Sequence, residues 1–187
     1  VTCYIEQKDS GGISLKKINR TLLQITEKYY WLWFVLLCAV TAFLCFRCLG
    51  VKAIDSWDEA RHGISAYEML KNKQFLVNTY LGKPDYWNVK PPLSFLSVAA
   101  GFVLCGYNAV GLRFFSALFY LLTVIFTGLF ARKYSRLASL LTMVFLCANY
   151  FPFKAHLARA GDADSLYLLL FTLSMLCMLK VRDNGHW

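Results

Sequence analysis

Residues 29–46 read YYWLWFVLLCAVTAFLCF. No charge interrupts these 18 residues, and Leu49–Val51 prolong the apolar run beyond Arg47. A helix needs about 20 such residues to cross the hydrocarbon core of a bilayer. Tyr29, Tyr30, Trp31 and Trp33 crowd its start, where amphipathic rings favour the boundary between headgroup and hydrocarbon. The run is too long, starts too late and lacks the small-residue site of a cleaved signal peptide. The chain is therefore read as entering a membrane here.

Working outward, four more apolar stretches follow: 91–112, 114–131 (FFSALFYLLTVIFTGLFA), 137–153 and 165–179 (SLYLLLFTLSMLCML). Positive charge decides which of them cross, because cytoplasmic loops collect Lys and Arg. Lys8, Lys16, Lys17, Arg20 and Lys28 precede the first run; Arg132, Lys133 and Arg136 link the third and fourth; Lys180 and Arg182 follow the fifth. All three clusters fall on one side only if the stretch 91–112 does not cross. It is expected to lie on, or dip into, the outer interface. The expected organisation is a cytoplasmic amino-terminal segment, 1–28, a membrane domain, 29–180, and a cytoplasmic end, 181–187. The membrane domain has four spans near 29–50, 109–131, 137–154 and 165–180, with an outer segment at 51–108 and a short outer loop at about 155–164. The fold class is all-α: a polytopic membrane helix bundle with juxtamembrane helices in its first outer loop.

Composition agrees. Of 187 residues, 58% are hydrophobic and only 17% charged, against roughly 45–50% and about 25% in soluble domains. Disorder, collagen and a disulfide scaffold are excluded by the same figures. The net charge of +9 is largely orientation charge, and no aromatic-studded basic groove for single strands is present, so nucleic acid is not an expected partner. Five of the seven cysteines lie in apolar runs. Cys45 and Cys48 have the CxxC spacing, but no second pair or nearby His completes a zinc set.

The chemistry-bearing residues lie in the outer segments. Residues 55–73 read DSWDEARHGISAYEMLKNK. Ser56 and Glu59 have capping-box spacing. Trp57, Ala60, Ile64, Tyr67 and Leu70 recur at helical spacing, which predicts an amphipathic helix with that face against the bilayer surface or the spans. Asp58 and Glu59 open the helix, where its dipole favours acids. Arg61 and His62 can share a face with Asp58. The simplest reading of these charges is capping and surface pairing. Downstream, Pro91 and Pro92 can open a new helix and hold Lys90 at a stiff corner, where its ammonium can meet a lipid phosphate or simply snorkel. In the second outer loop, Asp162 is placed to cap the last span and Asp164 to stand in its first turn. Paired acids among cations at a membrane mouth point to acid–base work on a charged lipid.

The motifs Asp58-Glu59-Ala60-Arg61, Glu68-Met69-Leu70, Lys90-Pro91-Pro92-Leu93, Arg113 with Ser116-Ala117-Leu118, and Arg159 to Leu166 resemble a known family. It is that of the membrane glycosyltransferases using polyprenyl-phosphate sugar donors, the aminoarabinose transferase and protein O-mannosyltransferase relatives. The resemblance extends from about residue 30 to 180. It implies a C-type glycosyltransferase fold, a polyprenyl-phosphate-linked sugar as donor, a lipid or protein hydroxyl as acceptor, and transfer at the outer face with inversion. Asp58 takes the catalytic position, as the group that accepts or orients the acceptor's proton. Lys90, Arg61 and Arg159 are the candidates to steady the leaving phosphate. Asp164 is placed with Asp58 as catalytic, holding the acceptor, the sugar or a basic neighbour. Glu59, His62 and Asp162 join the substrate-binding set.

Three departures accompany the resemblance. Some relatives carry an acidic metal ligand before the lysine of the Lys-Pro-Pro motif; here it is Val89. A divalent metal, for which Glu59 or His62 would be the ligands, is therefore not assigned. His62 replaces a position that is often aromatic, and Asp162 adds an acid to the second loop. Relatives also have about twice as many spans, so the chain is expected to be a fragment or half of a split enzyme, with the rest of the donor cavity in a missing carboxy-terminal half or partner chain, and it can lack activity alone. Membrane lipids are expected neighbours throughout, and the bacterial inner membrane is the compartment implied by resemblance. The competing reading is a non-catalytic membrane subunit, or lipid-phosphate-binding module, of a larger complex.

Overall fold

The computed structural model describes residues 24–154 and 157–183. The basic residues Lys8, Lys16, Lys17 and Arg20, most of the expected segment 1–28 and the end at 184–187 lie outside the described residues. Helix α1 runs Tyr30–Phe46, α2 Asp58–Asn72, α3 Pro92–Cys105, α4 Ala109–Ala131, α5 Arg136–Ala148, α6 Phe151–Lys154 and α7 Asp164–Asp183. Strands β1 (Thr79–Tyr80) and β2 (Lys83–Pro84) form a small antiparallel ribbon between α2 and α3. Its turn residues Leu81 and Gly82 both take positive φ, 52° and 75°, the conformation of a type I′ hairpin. Leu81 is a poor residue for that role, which is why the sequence did not signal the ribbon.

The molecule is an all-α membrane helix bundle built around α4, which packs against α1, α3, α5 and α7. With 23 residues, α4 is about 35 Å long. It and the 20-residue α7 are long and apolar enough to cross a membrane. The buried residues Ala117, Tyr120, Val124 and Gly128 form one stripe along α4 at the spacing of a single helix face. Several polar groups in this core are paired, as a water-free surrounding favours. Ser139 Oγ donates to the Gly128 carbonyl at 2.7 Å, so the Tyr30 hydroxyl, 2.9 Å away, donates to Ser139. The Tyr120 hydroxyl donates to the Leu146 carbonyl at 2.9 Å.

Two features at the end of the bundle where α4 begins position the site. The first is α3, whose 14 residues span about 21 Å, short of the hydrocarbon thickness. It lies hard against the start of α4: a Cβ at Gly101 would stand 2.1 Å from the Gly111 carbonyl oxygen. The Asn108 side chain caps α4 by accepting from the Gly111 N–H at 2.9 Å. The second is the break between α5 and α6. The stretch expected to run unbroken to 154 stops at Ala148 and restarts at Phe151, because Asn149 Oδ1 accepts the Phe151 N–H at 3.1 Å and Pro152 offers no N–H to continue the ladder.

Helix α2 buries a polar stripe beside its expected apolar face. The buried residues are Glu59, His62, Ser65, Ala66 and Met69, whereas Trp57 and Tyr67 are exposed. Ala60, Ile64 and Tyr67 instead edge an apolar groove beside Phe102 and Leu112. The polar stripe turns inward because its members have partners there, described below. The capping box is likewise not formed: the residue at the N-cap is Trp57, with no side-chain cap, and Glu59 is drawn into the core.

Candidate functional site

Glu59 and Arg113 fasten the end of the bundle where α4 begins. Both side chains are 1% exposed and joined by two hydrogen bonds, Arg113 Nε to Oε1 at 2.6 Å and Nη2 to Oε2 at 2.8 Å. Arg113 also donates to the carbonyls of Leu49, Lys52 and Ala53 at 2.6–3.0 Å, clasping the turn after α1. Glu59 accepts the N–H groups of Asp55 at 2.9 Å and Gly161 at 2.8 Å. Burial alone would raise its carboxyl pKa; Arg113 and the two N–H donors outweigh it and hold the group below its ordinary value. Glu59 was expected to bind substrate. Its oxygens are instead spent on α2, α4 and the loop before α7.

That loop delivers Asp162 to Lys90. The Lys90 ammonium donates to Asp58 Oδ1 at 3.0 Å and to Asp162 Oδ1 at 2.8 Å. Pro91 in extended conformation and Pro92 at the first helical turn fix the corner from which Lys90 reaches both acids. Burial would lower the Lys90 pKa, but its two carboxylate partners raise it. Asp162 is held below the ordinary Asp range, since Lys90, the Ala163 N–H and His62 outweigh its burial. The two acids differ in access: the Asp58 side chain is 43% exposed and that of Asp162 only 5%.

His62 backs this cluster. It is buried and stacks on Phe95 with ring centroids 4.3 Å apart. Nδ1 lies 3.2 Å from the Asp58 carbonyl oxygen and 3.6 Å from Asp162 Oδ1, and Nε2 lies 3.2 Å from Ser94 Oγ. Burial and nearby Lys90 push its pKa down, against the pull of Asp162, so the ring is neutral at pH 7.

Arg61 forms the opposite wall. Asp85 grips its guanidinium in a bidentate pair, with Nε 3.0 Å from Oδ2 and Nη2 2.7 Å from Oδ1. The Tyr80 and Trp87 rings lie 5.1 Å from the same guanidinium. A cavity of about 580 Å³ opens between Arg61, Asp58 and Lys90, rimmed by Trp57, Tyr86 and Trp87, three rings exposed to solvent. Asp85, Ser94 and the ribbon's Tyr80 were not singled out in the sequence. Asp85 stands five residues before Lys90, and nothing in the spacing linked it to Arg61, 24 residues earlier.

The remaining expected residues are placed elsewhere. Arg159 donates to the Arg47 and Cys48 carbonyls at 2.7 and 3.1 Å and lines a different cavity from Lys90. Asp164 is exposed in the first turn of α7; it is Asp162 that reaches Lys90. Among the described residues, no three His, Cys, Asp or Glu side chains converge as a metal-binding set. Val89 has no donor and the Glu59 oxygens are spent, so the residues present do not fit the metal site of some relatives.

These features define a membrane protein with a cluster of acids and cations, Asp58, Lys90 and Asp162, at one end of an apolar bundle. The family model for dolichyl-phosphate-mannose-protein mannosyltransferases matches residues 25–186, and the chain belongs to that family. It is a glycosyltransferase family, so the resemblance carried by the Asp58 and Lys90 motifs holds. A protein of Aquifex aeolicus (strain VF5), described as uncharacterized, is 33% identical over 144 residues, which cover 76% of this chain and 28% of the relative. The chain thus spans a little over a quarter of that relative. No solved structure matches.

Proposed function

We propose that the chain carries the acid–base part of an enzyme that transfers a glycosyl group from a polyprenyl-phosphate donor to a protein or lipid hydroxyl, at the outer face of the membrane and with inversion. The observation that carries this reading is Asp58: a carboxylate at the rim of an open cavity, bonded to Lys90, while its buried counterpart Asp162 holds Lys90 from behind. In the step proposed, the acceptor oxygen attacks the anomeric carbon, the bond to the phosphate oxygen breaks with its electron pair, and the hydroxyl proton passes to Asp58. The charges favour this coupling. Two carboxylates around one ammonium leave one net negative charge. Proton capture by Asp58 cancels it as negative charge develops on the leaving phosphate, and it frees Lys90 to face that phosphate. Asp164, exposed in the first turn of α7, is assigned to the acceptor, and Arg61 to the cavity wall.

Asp58→Asn in the full-length enzyme tests the reading. Transfer is expected to fall by roughly 100-fold or more, the worth of a general base, with membrane insertion unchanged. Transfer within about twofold of wild type would remove Asp58 from this role and favour the non-catalytic subunit.

A further inference from the structure

We infer that the cavity lined by Lys52, Lys154 and Arg159 is a phosphoryl-binding site separate from the cavity at Lys90. It encloses about 370 Å³ between the turn after α1, the α5–α6 break and the loop before α7. Each segment supplies one cation, and Leu49, Tyr150 and Phe153 supply apolar walls. Among the described residues, no Asp or Glu lines it. Arg113 also reaches this cavity, but its guanidinium is fully engaged with Glu59 and three carbonyls.

Two observations point to an anion. Arg159 is fixed by its two bonds to the turn after α1, yet its buried Nε has no hydrogen-bond partner among the described residues. An unspent buried donor is costly, and a turn of the guanidinium toward the cavity that Arg159 lines would let an acceptor there remove the cost. Three like charges around one space also repel each other. A phosphoryl group answers both: it carries charge near −2 as a monoester and offers three acceptor oxygens, in a geometry that suits a guanidinium fork. The inference stands independently of the transfer reaction. The phosphoryl group can belong to a lipid headgroup or be free phosphate.

Binding to the purified full-length protein separates the possibilities. One arm uses radiolabelled inorganic phosphate in equilibrium dialysis; the other uses phosphatidylcholine nanodiscs with and without phosphatidic acid, read by native mass spectrometry. Saturable binding of one equivalent is expected in at least one arm, and the arm that shows it names the source. Both the Lys52→Gln/Lys154→Gln double variant and Arg159→Gln should weaken it at least 10-fold, whereas Lys73→Gln, just past α2 and outside the cavity lining, should stay within about twofold of wild type. The double variant leaves the Arg159 bonds to the backbone in place, so it reads binding even if Arg159→Gln misfolds. Absence of saturable binding in both arms overturns the site. So does binding that Lys90→Gln abolishes and the double variant does not.

Discussion

Glu59 illustrates how position can change the meaning of a side chain. Next to Asp58 in sequence, it looks like a second acid at the mouth. In the fold it is sealed against Arg113 with both oxygens occupied. Removing one partner of such a pair costs about 3–5 kcal/mol, because the other charge stays buried and unpaired. Glu59→Gln should therefore lower thermal stability in detergent far more than Asp58→Asn. Replacing the pair together by Glu59→Met and Arg113→Leu should recover much of the loss. Calorimetry of the two single variants and the double variant checks this; additive losses would show that the pair is not coupled. Lys90 and Asp58 were legible in the sequence because each sits at a local marker, a double proline and a helix start. The choice between Asp162 and Asp164 was not. They are two residues apart, and only the path of the loop, set by the Gly161 N–H on Glu59, turns Asp162 toward Lys90.

Elements were read more securely where they are long and uniform. The apolar runs that became α1, α4 and α7 needed only their lengths. Helix α2 was legible as a helix, but its buried polar stripe was not, since periodicity ranks residues by apolarity and cannot see that Glu59 and His62 have partners 54 and 32 residues away. The contact between α3 and α4 depends on Gly101 and Gly111, whose missing side chains let backbone meet backbone. Gly101→Val should force the helices apart and cost about 1–3 kcal/mol by overpacking. Because α3 begins at Pro92, beside Lys90, the same change should raise the KM of the full-length enzyme or lower its kcat. An unchanged melting temperature would show that α3 is not held by this contact.

At the scale of the molecule, orientation follows from charge. If Lys133 and Arg136 lie on the cytoplasmic side, as the positive-inside rule proposes, the Lys90 cluster and the basic cavity face outward. Single cysteines at Lys73 and Lys133, in a background without the native cysteines, test this. A membrane-impermeant maleimide should label Lys73→Cys in intact cells, and Lys133→Cys only after permeabilisation. Labelling of Lys133→Cys in intact cells would invert the topology and place the proposed transfer on the other face. The described ion pairs of Lys133 with Asp183 and Arg136 with Glu27 tie the basic end of the bundle together without contacting the site.

The bond from the Gly161 N–H to Glu59 joins residues 102 positions apart. A ribosome adding about 5–20 residues each second needs roughly 5–20 s to deliver the donor after the acceptor. Through that interval the nascent outer segment carries a carboxylate whose final partners have not yet been made. Biogenesis of this end is thus late and cooperative: the segment after α1 must wait, solvated or chaperoned, until the loop before α7 emerges and closes it.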